Sequence, residues 1–365
     1  MIKDNSPSIY IIGGGPAGIA TALSLLERGF KSTIIESSSL VPKKAGETVP
    51  PSFSKIAQRF GITHLLTKHF PCYGNVWVWG DSHVQEKNFL FDPSGNGWHL
   101  QREVFETDLL DFAISKGIEV RKGTQLLRSS QTANGSWELT FREKEAEDRF
   151  IECDFLVDAS GRTGKVLKDI GIRKKHICQL TGNMMYFPTT KSSSLQTHIE
   201  AVEHGWWYAA ALPDQHIVTA FMSDDPHVIK HMNNPEYYLE ELHRTELVRR
   251  LLPDSISCSD VFTRPAGTSY AQQLCGKNWL ATGDTACSYD PVSSYGILSA
   301  MGSGYYAGQA IADHFEGDQA GLPTYQQLIQ STFLNYLSLV GQQYRQEQRW
   351  PSSPFWKNHH AAYSF

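Results

Sequence analysis

Much of what this chain lacks is informative. Its six cysteines (Cys72, Cys153, Cys178, Cys258, Cys275 and Cys287) include no CxxC pair, so neither a disulfide framework nor a zinc site is expected. Fourteen histidines occur without an HxH or HExxH arrangement backed by acidic partners, and no metal is expected. The longest apolar runs, such as Ile9 to Ile12 and Ala209 to Leu212, fall far short of the roughly 20 residues that span a bilayer. The polar amino terminus carries no signal-peptide core, so the expected compartment is the cytoplasm, with no membrane partner. A basic excess is missing too. Thirty-three Lys and Arg against 38 Asp and Glu give a net charge of −5, which leaves no broad cationic field for nucleic acid. There is no internal repeat and no low-complexity segment.

What is present suits an enzyme. A length of 365 residues exceeds the usual single core and suggests two packed lobes or one large domain with insertions. Ser8 to Ile12 reads as a strand, Pro16 to Arg28 as a helix and Lys31 to Glu36 as a second strand, which together make a βαβ unit. Alternating stretches from Leu126 to Phe141 flank Asn134 and Gly135, a dipeptide suited to a tight hairpin. A strand through Ile151, Cys153, Phe155 and Val157 ends at Asp158 to Arg162. Four strand-like runs follow, Asn183 to Phe187, Gln196 to Ala201, Trp206 to Ala211 and His216 to Met222, and imply an antiparallel sheet. Helical spacing marks Tyr237 to Leu252, Tyr295 to His314 and Tyr325 to Tyr344. The expected class is α/β (α+β). Residues 1–70, 98–170 and 260–315 would form a Rossmann-like nucleotide lobe, 71–97 and 171–259 an inserted antiparallel-sheet substrate lobe, and 316–365 a C-terminal helical segment.

Gly13, Gly15 and Gly18 form GxGxxG directly after a strand and at the start of a helix that opens with Pro16 and Ala17. In that context the first glycine permits the turn, the second admits a pyrophosphate and the third lets helix pack on strand. Glu36 closes the second strand, where a carboxylate can accept from an unphosphorylated ribose. This fingerprint alone does not separate NAD from FAD. A second cluster favours FAD: Asp284 follows the strand Asn278 to Ala281, and Asp290, Pro291, Ser294 and Gly296 precede a helix. An aspartate there can bind a ribityl hydroxyl, and the helix amides can face a flavin ring.

Taken together, Gly13 to Gly18, Gly46 to Pro50 (GETVP), Arg102, Asp158 to Arg162 (DASGR) and Gly283 to Gly296 (GDTACSYDPVSSYG) resemble the flavoprotein monooxygenase superfamily with the p-hydroxybenzoate hydroxylase fold. GETVP with Gly205 to Pro213 (GWWYAAALP) and the ending Glu347 to Trp356 is similar to the tryptophan halogenase branch. The resemblance implies FAD contacts at Gly13, Gly15, Pro16, Ala17, Gly18, Glu36, Arg102, Asp284, Pro291, Ser294 and Gly296, with Ala45, Gly46 and Glu47 beside the flavin edge. Two departures from that branch stand out. The stretch Lys68 to Trp79 offers no lysine in the strand context where halogenases place theirs, and Trp206 and Trp207 are adjacent where the signature spaces its tryptophans. Short flavoproteins of this kind resemble the modifying enzymes of cysteine tryptophylquinone-dependent amino-acid oxidases. That resemblance implies hydroxylation of a peptidyl tryptophan in the oxidase precursor through a flavin C4a-hydroperoxide, with O2 as co-substrate and electrons from NAD(P)H or a separate flavin reductase. Glu47 is the candidate base for the rearomatising proton. Trp77, Trp79, Trp206 and Tyr208, with Trp207 beside them, are candidates for the indole slot. Halogenation of tryptophan or another electron-rich aromatic, and an FAD-containing maturation chaperone, are the alternatives.

Overall fold

Short β-branched runs punctuated by glycine make the central layer. In the computed structural model, which describes residues 6–41, 47–143, 147–189, 194–252 and 259–364, Ile9–Ile12 lies in parallel between Thr33–Glu36 and Phe155–Asp158. Trp279–Ala281 and Glu119–Lys122 extend this sheet in parallel on either side, and Cys275–Gly276 closes one edge antiparallel, giving six strands. The centre is covered on both faces, and all four residues of Phe155–Asp158 are buried, as a parallel sheet requires. One cover is a pair of helices, Pro16–Glu27 and Gly296–Phe315. Small residues bring their backbones together: a Cβ on Gly304 would stand 2.4 Å from the Ala17 carbonyl oxygen.

The Asn134–Gly135 turn joins Thr124–Gln131 to Trp137–Glu143, and Gly135 takes the φ of +97° that glycine tolerates. Arg149–Cys153 completes this three-stranded sheet. The fully buried Trp137 pins it to the central layer by donating its indole N–H to the Asn278 carbonyl at 2.9 Å.

The larger sheet has seven strands in the order Phe262–Pro265, Thr181–Pro188, His216–Ser223, Gly205–Leu212, Thr197–Val202, Gly74–Val78, Gln85–Asn88. All neighbours are antiparallel except Thr197–Val202 with Gly74–Val78. Strand alternation sends Met185, Phe187, Trp207 and Phe221 to one side, where they pack with Tyr238 and Leu242 from the following helix. Met184, Tyr208 and Ala220 are in register on the other side.

The structure corrects the sequence division in two places. Phe262–Pro265 pairs with Thr181–Pro188 in the large sheet, not with the nucleotide lobe. Lys174–His176 pairs with Ser269–Ala271, which in turn pairs with Cys287–Ser288, forming a small sheet beside the second nucleotide-lobe motif. Both pairings join segments distant in sequence, so composition carries no sign of them. The expected helix over Tyr237 to Leu252 is also split. Pro235–His243 is helical, capped by the Asn234 side chain, and a 3-10 turn covers Val248–Leu251. The buried Glu200 carboxylate accepts from the amides of Glu246, Leu247 and Val248 at 2.7, 2.8 and 3.0 Å. It thereby caps a new start and ends the first helix.

At the carboxy end, Gly321–Gln346 and Pro354–Ala362 are helices. Trp79 is wedged edge-on among Trp206, Tyr344 and Trp356, with ring centroids 6.4, 5.7 and 5.2 Å away. The Trp206 indole donates to the Tyr344 hydroxyl, and the Trp79 and Trp356 indoles donate to the carbonyls of Gln343 and Val202, which locks the terminal segment onto the large sheet. Among the described residues no helix is long and apolar enough to cross a membrane.

Candidate flavin site

The first glycine turn is built by close approach. A Cβ on Gly13 would stand 2.3 Å from the Ala159 carbonyl oxygen, and one on Gly18 would stand 2.0 Å from that of Gly13. At Gly15 the same construction meets nothing within 4 Å, and Gly15, Pro16 and Ala17 line an open cavity of about 730 Å³. The helix they begin has neither a side-chain cap nor an acidic residue in its first turn, so its amides and dipole are directed at a guest of negative charge. Glu36 sits on the same wall, its two carboxylate oxygens held by the amides of Gly14 and Ser38, each at 2.8 Å.

The facing wall is the loop after the strand Trp279–Ala281. Asp158, wholly buried, organises the neighbouring turn by accepting from the Ser160 amide and hydroxyl and from the Leu167 amide; burial pushes its carboxyl above the usual range. Arg162 stands 3.5 Å from the Asp284 carboxylate and donates to the carbonyls of Gly267 and Tyr289. Lys174 donates to the Asp284 carbonyl, and burial lowers its pKa despite the nearby Asp284 charge. Behind the loop, the Ser303 hydroxyl accepts from the Gly283 amide at 3.0 Å and the Thr282 hydroxyl at 3.1 Å. Ser303→Ala would strand that buried amide, so a loss of about 1–2 kcal/mol is expected, read as a lowered midpoint in urea unfolding. An unchanged midpoint would contradict this account of the loop.

Asp290 caps the short turn Pro291–Ser293 by accepting from the Val292 amide at 3.0 Å, and it takes a second hydrogen bond from the Tyr344 hydroxyl at 2.8 Å. Burial raises its carboxyl to about 6. Ser294 adopts a left-handed φ of 54°, and a Cβ on Gly296 would meet nothing within 4 Å. The helix starting at Gly296 therefore opens onto the cavity just as the first helix does.

The large sheet closes the far end through Met184, Tyr208, Ala220 and Met222. Tyr208 shares a 2.7 Å hydrogen bond with the Thr48 hydroxyl, and Thr48 continues to Thr197 at 3.3 Å and on to His99 at 3.1 Å. Arg102 pairs with the buried Glu106 one helical turn away. Glu47 is 3% exposed and accepts from the Tyr186 hydroxyl at 3.0 Å. Burial first, then the Glu47 charge, hold that hydroxyl far above the usual phenol range.

One cavity thus gathers Gly13, Gly15, Pro16, Ala17, Glu36, Glu47, Arg102, Tyr208, Asp284, Pro291, Ser294 and Gly296. Gly18 packs behind the turn, and Ala45 and Gly46 lie outside the described residues. Trp79 and Trp206 do not line the cavity; they are buried under the terminal helices, and Trp77 is half-buried on its strand. Sequence reading did not single out Thr48, Tyr186, Met184 or Arg162. Arg162 was within reach through its DASGR motif, whereas Tyr186 needed the sheet register. Nor was the buried trio Cys178, Asp290 and His359 foreseen, whose ligand atoms lie within 4.8 Å of one another. Asp290 is already engaged by Val292 and Tyr344, and the Cys178 thiol lies 3.0 Å from the Tyr363 hydroxyl.

The residues present fit FAD. Two glycines open to the cavity, two helix starts, a carboxylate at the end of the second strand and a volume suited to a large ligand are what a dinucleotide with a fused ring needs. Comparison with known proteins agrees. The chain is 29% identical over 362 residues to the putative FAD-dependent oxidoreductase LodB of Marinomonas mediterranea, covering 96% of each chain. It is 24% identical over 379 residues to tryptophan 2-halogenase of Chondromyces crocatus, covering 98% of this chain and 71% of that one. Among solved structures it superposes on the flavin-dependent halogenase CmlS with a TM-score of 0.86 at 22% identity, covering 98% of this chain and 68% of that one. The peptidyl tryptophan dihydroxylase QhpG, essential for tryptophylquinone cofactor biogenesis, gives 0.77 at 21% identity, covering 97% and 78%. Residues 7–330 match the FAD binding domain family, which is the family this chain belongs to, and the protein is an FAD-dependent oxidoreductase.

Proposed function

We propose that this flavoprotein is a monooxygenase that hydroxylates a tryptophan of a partner protein, the precursor of a quinone-cofactor amino-acid oxidase. The observation that carries the reading is the buried Glu47, held by Tyr186 at the end of the cavity nearest the large sheet. There a carboxylate can take the proton that an attacked indole must lose. The similarity to QhpG and LodB supports this choice of reaction. When bound, FAD reduced by NAD(P)H or by a separate flavin reductase supplies the activation of O2.

The chain's own residues do the rest. Gly15, Ala17 and Gly296 present backbone to the cofactor, Glu36 and Asp284 offer acceptors to its hydroxyls, and Arg102 supplies a cation. Tyr208 and Thr48 fix the sheet end through their shared hydrogen bond. Tyr186 holds one oxygen of Glu47 and so fixes the carboxylate at the cavity wall.

Halogenation is the second reading, favoured by the similarity to tryptophan 2-halogenase and CmlS. Against it, the described lysines on the cavity wall are Lys122 and Lys165, on the strand beside Glu36 and the helix after the Ser160 turn. Lys68 is paired with Asp108 on the surface; Lys43 and Lys44 lie outside the described residues.

Intact mass spectrometry of the candidate oxidase precursor, coexpressed with this protein in chloride and bromide media, is the test. Addition of one or two oxygen atoms at a tryptophan is expected, and a brominated product would overturn the hydroxylase reading. Glu47→Gln is expected to retain FAD and slow oxygen insertion by about 10²-fold or more, the usual scale for one general base. Normal maturation of the partner by a Glu47→Gln protein whose flavin chemistry is abolished would favour the chaperone.

A further inference from the structure

Glu47 has a second side. Beyond the main cavity a recess of about 100 Å³ is lined by Glu47, Glu103, Asp214, Arg102, Tyr186 and Leu212, among others. Glu47 and Arg102 belong to both spaces, so the recess adjoins the sheet end of the flavin cavity. Its walls come from four places: Glu47 just before Thr48–Val49, the first turn of the helix Arg102–Ser115, Tyr186 on the strand Thr181–Pro188, and the Leu212 to His216 turn of the large sheet. Gln101 reaches across from that helix start to the Asp214 carboxylate at 3.4 Å, and His216 stands 3.2 Å from the same carboxylate.

Among the described residues the charge of this lining is lopsided. Three carboxylates, Glu47, Glu103 and Asp214, face one guanidinium, Arg102, which is itself paired with the buried Glu106, and the imidazole of His216 beside Asp214. After burial, ionisation of the Tyr186 hydroxyl is opposed by Glu47 and then by Tyr208 and Glu103. Leu212 and the Tyr186 ring add an apolar wall, and each carboxylate is an acceptor suited to a ring N–H.

We infer that this recess selects an aromatic N–H side chain carried on a neutral or cationic segment and repels one bearing its own carboxylate, so that the substrate is an internal residue of a polypeptide and not the free amino acid. The inference rests on the proposed reading that Glu47 faces the substrate, and it adds the charge class of the substrate and the residues that set it. Glu103 and Asp214 are specificity residues; neither is placed in the chemical step.

The test uses FAD-loaded protein and three probes, N-acetyltryptophanamide, tryptophanamide and N-acetyltryptophan, with binding read from perturbation of the flavin absorbance. The two non-anionic probes are expected to bind at least ~10-fold tighter than N-acetyltryptophan at low salt, a gap that narrows as ionic strength rises. In the double variant Glu103→Gln, Asp214→Asn the gap is expected to fall below about threefold while flavin affinity stays the same. Equal or tighter binding of the anionic probe, a gap indifferent to the double variant, or binding of none of the three would overturn the inference. Because no turnover is needed, the outcomes separate from those for the reaction. A brominated product with intact charge selection sinks the hydroxylase and leaves the recess standing, whereas hydroxylation of the partner without charge selection does the reverse.

Discussion

Gly15→Glu is expected to yield a stably folded protein without its flavin, while Gly18→Ala is expected to act on the stability of the fold itself. The two positions are three residues apart in one turn, and the difference follows from what a side chain would meet. At Gly15 a Cβ encounters nothing within 4 Å, so a glutamate extends into the cavity at little cost to packing. There it occupies the approach to the first helix's amides with bulk and a negative charge, and FAD affinity should fall by at least ~100-fold, equivalent to about 2.7 kcal/mol. At Gly18 the Cβ would lie 2.0 Å from the Gly13 carbonyl oxygen, a backbone atom with no rotamer to move into. Relief requires displacing the helix from its strand, at a cost of about 3 kcal/mol or more. A melting temperature lower by about 4 °C or more should accompany it. Flavin absorbance of the purified variants and their thermal unfolding check both halves. Gly15→Glu protein that copurifies with FAD at the wild-type ratio would remove the phosphate role assigned to this turn.

That turn was legible in the sequence because its chemistry is local. Strand, glycines, helix start and Glu36 lie within the same short stretch, and each residue's role follows from its neighbours in the chain. The aromatic candidates were not legible in the same way. Trp206 and Tyr208 alternate onto one face of their strand, and period-two reasoning places them together. Yet Tyr208 reaches the cavity while Trp206 is roofed by Tyr344 and Trp79, because a helix more than a hundred residues later covers only part of that face. Tyr186 poses the converse problem. Its strand was foreseen, but its meeting with Glu47 spans 139 positions and depends on the register that aligns it with Val218 and Ala210. The split after His243 likewise turns on a distant residue, Glu200, whose carboxylate outcompetes helical continuity for three amides. Propensity and spacing see the segment itself, and tertiary partners decide the rest.

Acid should weaken this protein well before its surface carboxylates titrate, with the buried histidines His69, His99 and His359 as the main cause. His99 is fully buried beside Thr197. His359 is packed against Phe355 and Tyr344 at ring separations of 4.2 and 4.6 Å. Burial lowers both to about 4 from an ordinary value of 6.5. A base whose folded pKa lies below its unfolded one binds its proton first in the unfolded chain. Its stabilising contribution is therefore complete above pH 6.5 and drains away as the pH falls toward 4, by about 3 kcal/mol for each histidine. Asp290 acts in the opposite sense. Raised by burial to about 6 from 3.8, it favours the folded state when protonated; that contribution is whole below pH 3.8 and lost as the pH rises through 6, again about 3 kcal/mol. His69, also lowered to about 4 by burial, and Asp224, also raised to about 6, shift in the same two senses; on going from pH 7 to pH 4 three losses therefore meet two gains, and the net expectation is a fall of about 3 kcal/mol, a sizeable part of the ~5–15 kcal/mol that holds a typical native state. Urea midpoints measured across that range test the balance. His359→Gln should flatten the acid decline by roughly a third of the histidine contribution, whatever it costs at pH 7. Asp290→Asn should steepen the decline because it removes the opposing term. A protein that gains stability on acidification, or an Asp290→Asn variant with a shallower profile, would show that burial does not govern these groups.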